Sequence, residues 1–534
     1  MKSQHRPRDR RIPPLWVRLL LATPLAVILW LQTGDRMGDS GLTTVMTAFV
    51  FLIFLLIATV WFVFFSGFSR KFRLLSVVGG VVVIAMVATL FRYDGVTGSM
   101  RPVLRFRFGA DPDLTTPLPS LVAGPIDLAT TTPFDFPGFL GPRRDGAVEN
   151  VELARSWGRG EPRAIWRHPI GAGWSGFAVV NGHAVTMEQR GASEVVSAYN
   201  VNTGDLEWSH AHPGRFDHPL GGLGPRSTPF IHEGLVYALG ASGWLVCLDG
   251  ATGALVWEKD LLEVFGITPE QEFASIQYGR SNSPLVRGDL LIIPAGGNVG
   301  GHLASLVAFD ARTGESVWEG GHTQISFSSP SMARLAGREQ ILIVNESTLG
   351  GFDPASGQLL WEHPWPGVTS ATASSSQAVA VPPDRVFVSK GYGGGAMLLR
   401  LAAGDEGRID VTQVWKNNRV LRTKFTNVVI HDGAIYGLSD SILECVDLAT
   451  GRRLWKRGRY GHGQILRVGD LLLVLTEDGE VVLVELSAED ADHELGRFEA
   501  LSGKSWNNLA LYDDLLVIRN GQEAAAYRLP LAGG

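Results

Sequence analysis

One short phrase recurs down the second half of the chain and restricts the folds open to it. It reads VNTGDLEW at 201–208, GATGALVW at 250–257, ARTGESVW at 311–318, PASGQLLW at 354–361 and LATGRRLW at 448–455, with degenerate copies that keep only the end at Val414-Trp415 and Arg497-Phe498. A short apolar strand (VVSAYN, WLVCLD, SLVAFD, LGGFD, ILECVD) precedes each clear copy. Each unit is thus a strand, an Asp/Asn-x-x-Ser/Thr-Gly turn and a strand ending in Trp, which is a β-hairpin repeated along the chain. Counted from Trp166, the marks fall at Trp166, Trp208, Trp257, Trp318, Trp361, Trp415, Trp455 and Phe498, between 40 and 61 residues apart. Self-similarity at such a period, with several strands in each, specifies a β-propeller.

The turn has a physical reason. An opening Asp or Asn bonds nearby backbone N–H groups, and Gly takes a positive φ that a Cβ would make costly. The terminal Trp gives each four-stranded blade a large apolar plate to set against its neighbour. The only two cysteines, Cys247 and Cys445, hold the same place in two repeats far apart around the ring. They read as small core residues rather than a disulfide.

The repeat resembles that of pyrroloquinoline-quinone (PQQ) repeat propellers, a superfamily of quinoprotein dehydrogenases and non-catalytic relatives such as the outer-membrane assembly propeller. FPGFLGPRRDG at 136–146, AIWRHPIGAGWSGFAVVNGHAV and GLGPRSTPFIHEGLVYALGASGWLVCLD look like segments of bacterial PQQ-binding-like propeller proteins. The likeness covers about residues 134 to 530. It implies fold strongly and function weakly, since one scaffold hosts unrelated tasks.

Eight marks imply eight blades over 134–534, with a seven-bladed ring left open if 396–415 does not form a unit. RAIWRHP, the strand that carries Trp166, has no earlier blade to join, and AAAYRLP at 524–530 ends without a partner. Their pairing would make the first strand the outer strand of the last blade, removing two exposed edges.

The first hundred residues differ. Runs at 15–31, 42–65 and 74–91 are nearly continuously apolar and long enough to cross a bilayer as three helices. A basic tail over 1–14 precedes them, the loop 32–41 balances Arg36 against Asp35 and Asp39, and the loop 66–73 carries Arg70, Lys71 and Arg73. Basic segments stay on the cytoplasmic side. The reading is a bacterial inner-membrane anchor with a cytoplasmic N-terminus, a Pro/Thr-rich extracytoplasmic linker over 92–133, and the propeller in the periplasm or outside the cell. Charge follows the same division: residues 1–108 carry a formal +10 and the rest −16, against −6 overall. An acidic, aromatic-rich domain of this kind is a poor nucleic-acid binder.

A quinoprotein resemblance would require a clamp for PQQ with calcium, usually including adjacent cysteines, and this sequence has none. It also lacks C-x-x-C-H for haem. By repeat symmetry, short polar segments before each innermost strand crowd one mouth of the central channel. They nominate Trp174, Arg226, Arg280, Asn282, Lys424, Asn427, His462, Gln464, Trp506 and Asn507 as a binding funnel for an anionic, planar or glycan-like ligand. The competing reading has them bonding neighbouring backbone around a water-filled channel. His210 and His212 read as loop residues without a metal partner set, and PAGGNVGG at 294–301 as a long loop. SGKS at 502–505 lacks the rest of a phosphate loop. A helix-like insertion, 261–273, could meet a partner. The expectation is a non-catalytic, membrane-tethered envelope scaffold for a protein, peptide or cell-wall ligand, with no cofactor. The alternative is a membrane-bound quinoprotein dehydrogenase acting on alcohols or sugars with PQQ and calcium.

Overall fold

The computed structural model describes residues 11–33, 37–115, 124–158, 162–298, 300–366, 373–491 and 493–533. Most of the basic tail, Asp35 and Arg36 of the first loop, and 116–123 of the expected linker lie outside the described residues. The chain divides into two units, Met1–Ala110 and Asp111–Gly534.

The first unit holds α1 (Leu15–Gln32), α2 (Ser40–Val60) and α3 (Arg70–Leu90), with a wider π-type turn over Trp61–Phe65 after α2. All three helices are long and apolar enough to cross a membrane. Asp39 starts α2 by accepting a hydrogen bond from the Leu42 amide at 2.9 Å, and Ser69 starts α3 by accepting from Phe72 at 3.3 Å. After α3 the chain departs from the expected extended linker. Phe91–Val96 and Pro102–Phe106 pair as an antiparallel hairpin.

The second unit is an eight-bladed propeller of four-stranded antiparallel blades. Blade 1 runs over Ala178–Pro213, blade 2 over Phe230–Asp260, blade 3 over Leu285–Gly320 and blade 4 over Ser331–Pro364. Blades 5, 6 and 7 cover Val379–Asn417, Val428–Arg459 and Gln464–Glu499. The stretch 396–415 therefore does build a full unit. Blade 8 takes three strands from Ala510–Arg528 and its outer strand from Arg163–Pro169, which pairs antiparallel with Glu523–Arg528. The expected clasp between first strand and last blade is thus present.

The repeat phrase works between blades. Opening side chains hold the turns: Asp310 accepts from the Thr313 amide at 2.8 Å and Asp447 from Thr450 at 2.8 Å. The turn glycine lies against the tryptophan of the preceding blade, so that a Cβ on Gly204 would stand 2.6 Å from the Trp166 ring. The same meeting joins Gly253 to Trp208, Gly314 to Trp257, Gly357 to Trp318 and Gly451 to Trp415. Trp166, Trp208, Trp257, Trp415 and Trp455 also donate Nε1–H to a carbonyl of the next blade, those of Val201, Gly250, Ala311, Leu448 and Ser487, at 2.8–3.0 Å. Opposite these rings on the third strand stand small residues such as Ala198, Ala308, Ala526, Cys247 and Cys445. Cys247 and Cys445 are fully buried free thiols, pushed up to about 12 and about 11 by burial. Most of the apolar core lies as slabs between neighbouring blades.

Two positions break the pattern. Blade 5 has no Thr-Gly turn, and Trp361 turns back to bond Gln340 of its own blade at 2.5 Å. In blade 7 the register corrects the sequence reading. Leu483 pairs with Gly496, so Gly496 rather than Phe498 holds the tryptophan place.

Three other expectations change. The end of the linker packs on the ring: Ile126 donates to the Ala251 carbonyl at 3.0 Å, and Leu128 is buried in the slab between blades 1 and 2. His210 and His212 sit in the outer strand of blade 1 rather than in a loop, with His212 stacked 4.4 Å from Trp244. Residues 294–297 of the Gly-rich run continue a strand of blade 3, Leu290–Gly297.

Candidate functional site at the channel mouth

The segment FPGFLGPRRDG forms a plug. Phe136 bridges Val179 of blade 1, and Pro137 accepts from Ile231 of blade 2 at 2.8 Å. Arg144 donates to the Pro284 and Ser283 carbonyls of blade 3 at 2.7 and 3.1 Å, and its own carbonyl accepts from Gln377 beside blade 5. Ala147–Val148 then pair parallel with Arg467–Val468 of blade 7. The segment and the strand that follows it thus tie together blades 1, 2, 3, 5 and 7. Arg144 is 4% exposed, and burial lowers its guanidinium to about 9.

The polar residues nominated from sequence lie where the inner strands begin, and most of their atoms bond the ring itself. Asn282 donates to the Ser326 and Ser328 carbonyls at 3.0 and 2.6 Å, and Asn507 to those of Gly173 and Ser175 at 3.1 and 2.8 Å. Gln464 spans two neighbours through the Phe425 and Trp506 carbonyls at 3.0 and 2.9 Å. Asn427 accepts from the Gln377 amide at 3.0 Å. These bonds run from blade to blade, while Asn282 Oδ1 and Asn507 Oδ1 are buried without a hydrogen-bond partner.

The cations are engaged too. Arg226 donates to the Gly221, Gly222 and Gly224 carbonyls at 2.7–3.0 Å, rests 4.9 Å over Phe216, and is lowered to about 10 by burial. Arg280 is fully buried, paired with Glu272 at 2.7 Å and bonded to the Ala295 carbonyl at 2.8 Å. It supports the helical insertion rather than facing the mouth. Lys424 stands 3.6 Å from Asp440, and His462 meets Ser441 at 2.9 Å.

One group does come together in a partly open position. Trp174 and Trp506 lie 4.9 Å apart, Phe425 stands 4.7 Å from Trp506, and the Lys504 ammonium sits 4.3 Å from Trp506 and 5.0 Å from Trp174. Trp506 donates to Glu477 at 2.9 Å. Sequence reasoning missed Asp440, Glu477 and Lys504. Asp440 and Glu477 sit just past the second strand of their blades, whereas the polar segments legible in the sequence precede the first strands.

Calcium is held by several converging oxygen ligands. Here the neighbouring rings are tilted by 42° and 50° and share Lys504. Among the described residues, no group of three His, Cys, Asp or Glu is placed to hold a metal ion.

Eight blades, tryptophan–turn clasps and closure by the first strand define a PQQ-type repeat propeller. A family model described as outer membrane protein assembly factor BamB matches residues 164–457, and the chain belongs to that family. The BamB of Shewanella oneidensis is 23% identical over 303 residues, covering 55% of this chain and 70% of that protein. BamB from Moraxella catarrhalis is 17% identical over 69% of this chain and 100% of its own, with a TM-score of 0.48. A europium-containing methanol dehydrogenase is 11% identical over 74% of this chain and 98% of its own, with a TM-score of 0.50, and shares the fold.

Proposed function

We propose that this chain is a membrane-tethered, extracytoplasmic propeller that binds an envelope protein, peptide or cell-wall ligand, and that it serves as a scaffold rather than as an enzyme. The carrying observation is where the mouth's polar groups are spent. Asn282, Gln464, Asn507, Arg226 and Arg280 hold adjoining segments to one another, an arrangement suited to a rigid platform. Membership of a family described as an outer-membrane assembly factor supports an envelope role. Three apolar helices and the basic residues Arg70, Lys71 and Arg73, which the structure places in the first turn of α3 rather than in a loop, support an anchor with the propeller outside the cytoplasm.

The test is titration of the full chain in detergent with PQQ, with and without calcium, followed by dye reduction on alcohols and sugars. Absence of saturable binding is expected. Calcium-dependent binding with turnover would replace the scaffold by the quinoprotein reading. A reporter fused after Gly534 should be active only outside the cytoplasm, and activity inside would reverse the topology.

A further inference from the structure

The longest connection in the ring, between blades 2 and 3, folds into α4 (Leu261–Phe265) and α5 (Pro269–Ser275). Leu261 and Phe265 drop into the apolar slab between those blades and fix α4. A reciprocal pair of hydrogen bonds between Thr268 and Gln271 starts α5, and the buried Glu272–Arg280 pair holds it from below. This firmly seated insertion leaves Phe273 52% exposed and Val264 42% exposed. Large apolar side chains displayed on a fixed element have a contact cost that is already met, because little order is left to impose on binding.

Beside the helices lies a pocket of about 800 Å³. Its apolar lining includes Leu262, Val264 and Phe273, over the buried Trp244 and Ile276. Its acidic lining comes from Glu258, Asp260 and Glu263, together with the paired Glu272. The single lysine in the lining, Lys259, carries its ammonium 5.6 Å over the Phe309 ring of blade 3. Glu258 already accepts from Trp244 Nε1 at 2.8 Å, which fixes its carboxylate in the wall. An apolar lining set among carboxylates selects a ligand that carries both apolar and positive groups.

From this complementarity we infer that the pocket between blade 2 and the helical insertion docks a basic segment of a partner polypeptide, one large apolar side chain flanked by Lys or Arg. The inference rests on the scaffold reading and gives that scaffold a specific surface. The apolar side chain packs against Phe273 and Val264, and the flanking cations meet Glu258 and Glu263.

The probe is a fluorescein-labelled peptide Lys-Arg-Phe-Leu-Lys-Arg, titrated by anisotropy against the full chain in detergent, with Glu-Glu-Phe-Leu-Glu-Glu as its charge-reversed control. Saturable binding of the basic peptide alone is expected. It should weaken about tenfold in the Glu258→Gln/Glu263→Gln double variant, in Phe273→Ala, and between about 0.05 and 0.5 M salt. Unchanged melting temperatures would show that the variants fold. Equal binding of both peptides, or binding indifferent to these substitutions, overturns the inference. Photo-crosslinkers at Phe273 and at the distant, exposed Val414 separate it from its premise. Polypeptide crosslinks at Val414 alone overturn the pocket and keep the scaffold, and crosslinks at neither overturn both.

Discussion

Trp157, from the stretch that precedes the ring, lies over Gly496 in the outer strand of blade 7, so close that a Cβ there would stand 2.7 Å from the indole. The edge of Phe498 completes the contact at 5.4 Å between ring centroids. Every other outer strand places its own tryptophan at this point of the register. Blade 7 is the exception because a tryptophan there would reach forward to the turn joining the last two strands of blade 8. Those strands come from opposite ends of the domain, and no such turn exists.

A side chain at Gly496 should therefore displace Trp157. Gly496→Val is expected to cost about 1–3 kcal/mol and Trp157→Ala about 3 kcal/mol, with the double variant well short of their sum. Urea unfolding of the four proteins checks this, and full additivity would mean that the residues act separately.

The forward clasp makes a matched pair of glycine variants informative. Gly314 has φ near 72° and Trp257 within 2.7 Å of where a Cβ would lie, whereas Gly337 has φ near 78° and open space around it. Gly337→Ala should cost about 1 kcal/mol for backbone strain alone, and Gly314→Ala about 3 kcal/mol as the indole is pushed away. Similar losses at both sites would remove the packing role assigned to the turn.

Closure between blades 8 and 1 depends on Arg519, which is fully buried and donates to Thr186 Oγ1 at 2.9 Å and to the Met187 and Gly171 carbonyls at 2.8 and 2.7 Å. Arg519→Met orphans three acceptors and removes a cation near the buried Glu188. A loss of about 3–5 kcal/mol is expected. Hydrogen exchange should quicken first in Glu523–Arg528 and Arg163–Pro169, and even quickening around the ring would count against a local seam.

Lys390 sets a pH dependence. It is 2% exposed, donates to the Trp365 carbonyl at 3.1 Å, and burial lowers it from 10.5 to about 8. Between those values the unfolded chain holds a proton that the folded chain has released, so this group makes stability rise with pH across that window. Below about 8 the burial of the charged ammonium counts in full. Lys390→Met should raise the melting temperature by about 2–4 °C at pH 7 and by much less at pH 10.5. An equal gain at both pH values would assign the effect to packing.

The ring, its closing strand and the tryptophan–turn unit were legible because they repeat, and repetition lets five clear copies speak for weak ones. What occurs once was not. FPGFLGPRRDG has neither a strand nor a helix period, so its course depends on partners as distant as Ser283 and Arg467. Phe498 misled because an aromatic two residues from the true position imitates the mark. The polar mouth segments were located by symmetry, but sequence tells only that Asn282 or Arg280 is polar. Whether its donors face the channel or a neighbouring carbonyl is decided by the meeting of blades.

The forward clasps also give the ring a direction and two interruptions. Tryptophans pass from blade 8 through blade 4 and again from blade 5 through blade 7, while Trp361 turns inward and Gly496 has nothing to pass on. The closed circle is therefore mechanically a long arc of five blades and a short arc of three, joined at both ends without the tryptophan–turn clasp. Thermal opening should start at those two joints and leave each arc intact as a cooperative unit.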